Sequence, residues 1–275
     1  MDDIALKIDE CNERIMNNPN DASAYVDRGD VFLDSANYDA ALQDFTTALK
    51  LDKTDAYSYS KRGMVYLNLQ KLDEVLADWT KAIELQPDSA AYCWNRGLLY
   101  ANFFNDNNAA LNDFNKAIEN NPNDPVYYQR RGLLYSDLEE YDKAISDLSK
   151  ALELGCNDVN TYSCRGSAYL EKKQLDEAIA DFRKMISLDP NNSVAHHLLG
   201  EALFFKQQYD DALPEFNKAI EIDPNEPASY YRRGEIYRRK GQWDAARIEY
   251  EKALKLDPTH GGANASLKVV AKYCM

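Results

Sequence analysis

Three histidines and five cysteines are the side chains of this sequence with ready metal-binding or nucleophilic chemistry, and their spacing gives them none. His196 and His197 are adjacent; at 3.6 residues per turn, neighbours on a helix point about 100° apart and cannot close on one ion. His260 stands alone in a loop, and Cys11, Cys93, Cys156, Cys164 and Cys274 form no CxxC pair. Cys156 and Cys164 have no third ligand nearby in sequence. Neither a GxxxxGK[ST] loop nor a strand-borne GxGxxG is present to cradle phosphate. The expectation is therefore no catalytic residue, no metal, no cofactor and no enzymatic activity.

Arginines and carboxylates are spaced far more regularly. Arg28, Arg62, Arg96, Arg131, Arg165 and Arg233 each precede a glycine. Asp44, Asp78, Asp113, Asp147, Asp181 and Glu249 lie sixteen residues further on, seventeen in one case. On the two helices of an antiparallel hairpin these positions share a height, which predicts a structural Arg–carboxylate pair in each unit. One unit breaks the rule, with Leu199 in the Arg column while Glu215 remains. That carboxylate is expected to be free or differently paired.

The elements that carry these columns follow from the glycines. Gly29, Gly63, Gly97, Gly132, Gly166, Gly200 and Gly234 are 34 residues apart, with a single step of 35. The extra residue is expected in a turn around residues 105–108. Tyr dominates four before and three after the glycine, which accounts for much of the total of 19. Ala41, Val75, Ala110, Ala144, Ala178, Ala212 and Ala246 form another column. Phe45, Trp79, Phe114, Leu148, Phe182, Phe216 and Tyr250 follow four later, and Pro closes five of the units. Each unit reads as two amphipathic helices, for example 56–69 and 72–85, with Pro ending the second. A mid-helix Gly costs about 1 kcal/mol against Ala, so its recurrence predicts close helix approach. Small-on-small contact with the Ala column is the expected partner.

This order of large residue, Gly, Tyr, Ala, aromatic, Ala and Pro resembles the tetratricopeptide repeat (TPR). The resemblance implies an all-α, right-handed solenoid of seven helix-turn-helix hairpins over residues 20–258. Boundaries fall near 22–55, 56–89, 90–124, 125–158, 159–192, 193–226 and 227–258. Residues 1–19 read as an N-terminal cap helix or a remnant half-repeat, with Ile4, Ile8, Cys11 and Ile15 at helical spacing. Residues 259–275 read as a C-terminal capping helix with Ala263, Leu267, Val270, Ala271 and Cys274 in one stripe. Hairpins that cannot bury both faces alone must stack on their neighbours.

In proteins with this resemblance, first helices line a concave groove that holds a peptide or helical segment of a partner protein. Positions expected to face it include Trp94, Asn95, Gln129, Arg130, His197, Phe204, Tyr231 and Arg232, which vary between units as selective recognition requires. The clamp that some relatives use for a carboxylate tail needs Asn where this chain has Asp30, Met64 and Leu98. Residues 227–256, with Arg232, Arg238 and Arg239, hold eight cations against four carboxylates in a chain of net charge −14. Such a basic end could grip an acidic segment. The overall acidity argues against nucleic acid and anionic membrane as partners. The absence of a signal peptide or an 18-residue apolar run points to a cytoplasmic location. The leading expectation is an interaction scaffold. Two alternatives are homo-oligomer formation through terminal repeats and service as the repeat portion of a larger protein.

Overall fold

The structure, a computed structural model, describes residues 2–273; Cys274, the last member of the expected C-terminal stripe, lies outside them. Helix α1 (Asp2–Asn17) precedes seven hairpins. These pair α2 (Ala22–Asp34) with α3 (Tyr38–Leu51), α4 (Ala56–Asn68) with α5 (Leu72–Leu85), and α6 (Ala90–Leu99) with α7 (Asn107–Asn120). Next come α8 (Pro125–Asp137), α9 (Tyr141–Glu153), α10 (Val159–Glu171) and α11 (Leu175–Leu188). The last are α12 (Ser193–Phe205), α13 (Tyr209–Ile222), α14 (Pro227–Arg239) and α15 (Trp243–Leu256), followed by α16 (Gly261–Val270). No strand occurs among the described residues, and the fold is an all-α solenoid. Residues 1–127 and 128–275 form two compact units, and in each the helices pack on their neighbours in chain order.

Local chemistry sets the helix ends. Asp21, Asp55, Asp158, Asn192 and Glu226, each eight residues before a column glycine, accept hydrogen bonds from the first free N–H groups of their helices. The first helices end in a left-handed residue, which ordinarily favours glycine. Only Gly241 meets that preference; Ala36, Gln70, Glu139, Lys173 and Gln207 hold φ between 58° and 62° at the equivalent place.

The extra residue of the third hairpin is not accommodated in the turn at 105–108. It widens the end of the first helix into a π-turn at Tyr100–Phe104, and Asn105 then takes the left-handed position at φ 52°. The physical reason is the turn itself. Its geometry recurs in all seven hairpins, so the insertion is absorbed where the helix can add one residue to a turn.

The glycine column also has a different partner from the one expected. A Cβ at Gly97 would lie 2.8 Å from the Phe114 ring, and one at Gly166 2.6 Å from Phe182. At Gly132 the obstacle is Leu148, at 2.9 Å. The glycine makes room for the bulky side chain of the second helix, not for alanine. The alanine column is fully buried in its own right, from Ala41 to Ala246.

The terminal helices leave this pattern. On α1, Cys11 is buried but Ile4 is exposed, and Arg14 ties the helix to Asp21 and Asp27 at 3.2 and 2.5 Å. On α16, Ala263 and Val270 are buried, whereas Ala271 falls beyond the helix end and is exposed. Lys268, 34 residues after Gly234, is exposed and carries a Cβ in the register of the glycine. No described helix is long and apolar enough to cross a membrane.

Candidate functional site

Each column arginine sits in a cage built by its own hairpin. Arg62 donates from Nε and Nη2 to Asp78 at 2.8 Å, and Arg165 binds Asp181 at 2.8 and 2.7 Å. The tyrosines three before and four after lie on the same helical face. Arg62 is 5.6 and 5.8 Å from the rings of Tyr59 and Tyr66, and Arg131 5.8 and 5.9 Å from Tyr128 and Tyr135. The aromatic faces and the carboxylate share one planar cation. The Asp78 hydrogen bond raises the Arg62 guanidinium pKa against the opposing effect of burial.

The cage also reaches the hairpin before. Nη1 of Arg28, Arg96, Arg165 and Arg233 donates to Asn12, Thr80, Ser149 and Asn217 respectively, each sixteen residues earlier. These arginines thus pin successive second helices together. A rim of Lys–Asp pairs adds to this in residues 128–275, where Lys172, Lys206 and Lys240 reach Asp142, Asp176 and Asp210 of the preceding hairpin.

The sixth hairpin replaces the whole cage. His196, Leu199 and Leu203 stand in the Tyr, Arg and Tyr columns, and His196 Nδ1 lies 2.7 Å from Glu215 Oε2. Glu215 is differently paired, one of the two outcomes that Leu199 predicted.

Several residues expected to face a groove join one hairpin to the next. Trp94 packs 5.2 Å from Phe114 and 4.8 Å from Tyr127. Gln129 donates to Asp158 and Thr161 at 2.9 and 2.6 Å. His197 Nδ1 lies 2.8 Å from the Ser229 hydroxyl, and burial lowers its pKa. Tyr231 meets Tyr250 and His260, with its ring against Gly262. All four stand three residues before a column glycine, so this position spans the joint between successive first helices. Asn95 is half-buried and Arg130 exposed.

The remaining predicted residues gather around α12 and α14. Arg232 donates to Glu201 at 2.7 Å from Nε, and its guanidinium lies over Phe204, Phe205 and Tyr231 at 5.6, 5.2 and 5.6 Å. Phe204 is buried, and Arg239 caps it at 5.0 Å. Arg238 is bound through two nitrogens by Glu235. Burial pushes the Glu235 carboxyl up, but hydrogen bonds from Arg238, Tyr250 and Ser266 outweigh it and hold the group below its usual range. Most of the basic cluster is thus neutralised within the chain.

Between α10 and these two helices lies a cleft of 490 Å³ lined by Leu170, Glu171, Lys173, Leu175, Glu201, Phe205 and Arg232. Phe205 is 49% exposed at its edge. The cleft combines an apolar floor with a guanidinium held by Glu201 and three aromatic rings. Among the described residues, no group of three His, Cys, Asp or Glu could hold a metal.

Stacked helical hairpins define a repeat solenoid of the kind that binds other proteins. Tetratricopeptide repeat family models match residues 56–89, 90–124, 114–146, 169–232 and 227–260, and a TPR repeat model matches 29–70. The chain belongs to the tetratricopeptide repeat family, whose members are protein-interaction scaffolds.

Solved structures agree on the fold. The C-terminal part of a TPR repeat-containing protein from Cytophaga hutchinsonii is 20% identical, with TM-score 0.69, over 87% of this chain and 98% of its own. A tetratricopeptide repeat protein from Parabacteroides merdae is 21% identical, with TM-score 0.59, over 91% and 98%. MamA from Desulfovibrio magneticus is 22% identical, with TM-score 0.59, over 62% and 97%. No curated protein matches the chain.

Proposed function

We propose that the chain is a non-catalytic adaptor that captures an extended or helical segment of a partner protein on the first helices α10, α12 and α14. The observation that carries this reading is the cleft beside Phe205 and Arg232. Its floor of Leu170, Leu175 and Phe205 would take an apolar side chain. Among the described residues, Arg232 Nη1 makes no hydrogen bond, and Lys173, exposed at the cleft edge, has no ion-pair partner. Both would receive a carboxylate next to that side chain. Arg held flat by aromatic rings loses little freedom on binding, as at protein hot spots.

A selection of random peptides on the intact chain tests the proposal. Enriched segments should pair an apolar residue with a neighbouring acid. The double change Phe205→Ala and Arg232→Ala should weaken them about tenfold or more. Full retention of binding by that variant would overturn the assignment. So would sedimentation showing salt-sensitive dimers that the same double change abolishes, because a second copy would then occupy this face.

A further inference from the structure

We propose that the cleft beside Phe205 takes a singly charged carboxylate, an Asp or Glu side chain of the bound segment, and rejects a phosphorylated residue at the same place. Glu201 is the residue that sets this specificity. The assignment rests on the adaptor reading of the same cleft and adds the chemical class of the acid. Arg232 and Lys173 alone leave that class open, because cations attract carboxylate and phosphate alike.

The surroundings of Arg232 decide between them. A guanidinium carries its N–H donors in one plane. Glu201 Oε1 lies 2.7 Å from Nε and 2.5 Å from Nη2, which leaves Nη1 for a ligand. The rings of Phe204, Phe205 and Tyr231 hold that plane in place. Glu201 is held as well: its Oε2 lies 3.9 Å from His197 Nε2, and its side chain is 17% exposed. Burial lowers the His197 pKa, so the ring brings no compensating cation at neutral pH. Any anion on Nη1 therefore shares one guanidinium with a fixed carboxylate. A phosphoryl group carries about −1.5 to −2 charge at pH 7, against −1 for Asp or Glu. Repulsion from Glu201 thus weighs most on the phosphate.

The charges around the cleft point the same way. Arg232 and Lys173 line it together with Glu201 and Glu171, and Arg239 lies 5.0 Å from the adjoining Phe204 ring. Other cations on these elements are already matched within the chain. Lys172 meets Asp142, Lys206 meets Asp176, and Lys240 meets Asp210. Arg233 and Arg238 meet Glu249 and Glu235. Among the described residues, Arg232, Lys173 and Arg239 thus exceed Glu201 and Glu171 by a single positive charge. One carboxylate cancels it. A dianion overshoots and leaves the cleft negative in a chain whose net charge is already −14.

Binding of segments selected on the intact chain tests this at neutral pH. Each segment is made with an amidated C-terminus and with Glu, phosphoserine or Gln at its acidic position. The Glu form should bind more tightly than the Gln form, and about tenfold or more tighter than the phosphoserine form. That preference is read on the unaltered chain. Glu201→Gln should still bind the Glu form, which reports an intact site, and should narrow the gap to about threefold or less. Glu171→Gln, at the exposed rim where water screens the charge, should narrow it less. A phosphoserine form that binds as well as the Glu form while the Gln form stays weak would overturn the inference and leave the adaptor reading standing. So would a gap that Glu201→Gln does not change. Three forms that bind alike would show that no acid is recognised there and would overturn both.

Discussion

Arg62 is 18% exposed and Asp78 7%, so neither charge has full access to water. A cation held there needs its carboxylate and its two tyrosine faces together. Replacing Arg62 with Ala would strand Asp78, and the expected cost is about 1–3 kcal/mol. Urea unfolding checks it, and an unchanged midpoint would contradict the cage. Glu235 predicts a pH effect of known sign. Its native carboxyl releases its proton more readily than the ordinary value of 4.5. Unfolded chains then bind more protons below that value, so stability present at neutral pH is lost as pH falls. Glu235→Gln should lessen the acid loss measured on α14–α16. The Arg–carboxylate pairs were legible because both partners keep strict register. The joint formed by Trp94, Gln129, His197 and Tyr231 was not. Its residues differ in type, and only coordinates reveal that they share a neighbour in the next hairpin.

Helices and turns were legible to different degrees. Hydrophobic periodicity and the proline column are strong signals, and they locate the hairpins. The left-handed turn residue carries no signal, because Ala, Gln, Glu and Lys occupy it with equal ease in sequence. The turn persists since the hydrogen bonds around it are made, as in Asn37 N–H to Phe32 O at 2.8 Å. Each such residue still bears the steric penalty that glycine escapes. Ala36→Gly should therefore stabilise its hairpin by about 0.5–1 kcal/mol after the greater freedom of unfolded glycine is subtracted. A rise in the unfolding midpoint checks this, and a fall would contradict it. The π-turn was hidden for a related reason. An insertion is visible as a step of 35, but the softer of two neighbouring backbones decides where it goes.

Across the whole molecule, the repeat period conveyed the fold class and excluded little about function beyond active-site motifs. Net charge was less informative than it looked. The basic end at 227–256 reads as a ligand grip in sequence, yet Arg232, Arg233, Arg238, Lys240, Arg247 and Lys252 all meet carboxylates of the same chain. Each repeat contacts only its neighbours in chain order, so a bound segment should mark only the hairpins it touches. Hydrogen exchange of the intact chain with a selected peptide reads that footprint directly. The account predicts added protection in the first helices α10, α12 and α14, with α11, α13 and α15 unchanged. Protection confined to second helices, or to residues 1–127, would contradict it.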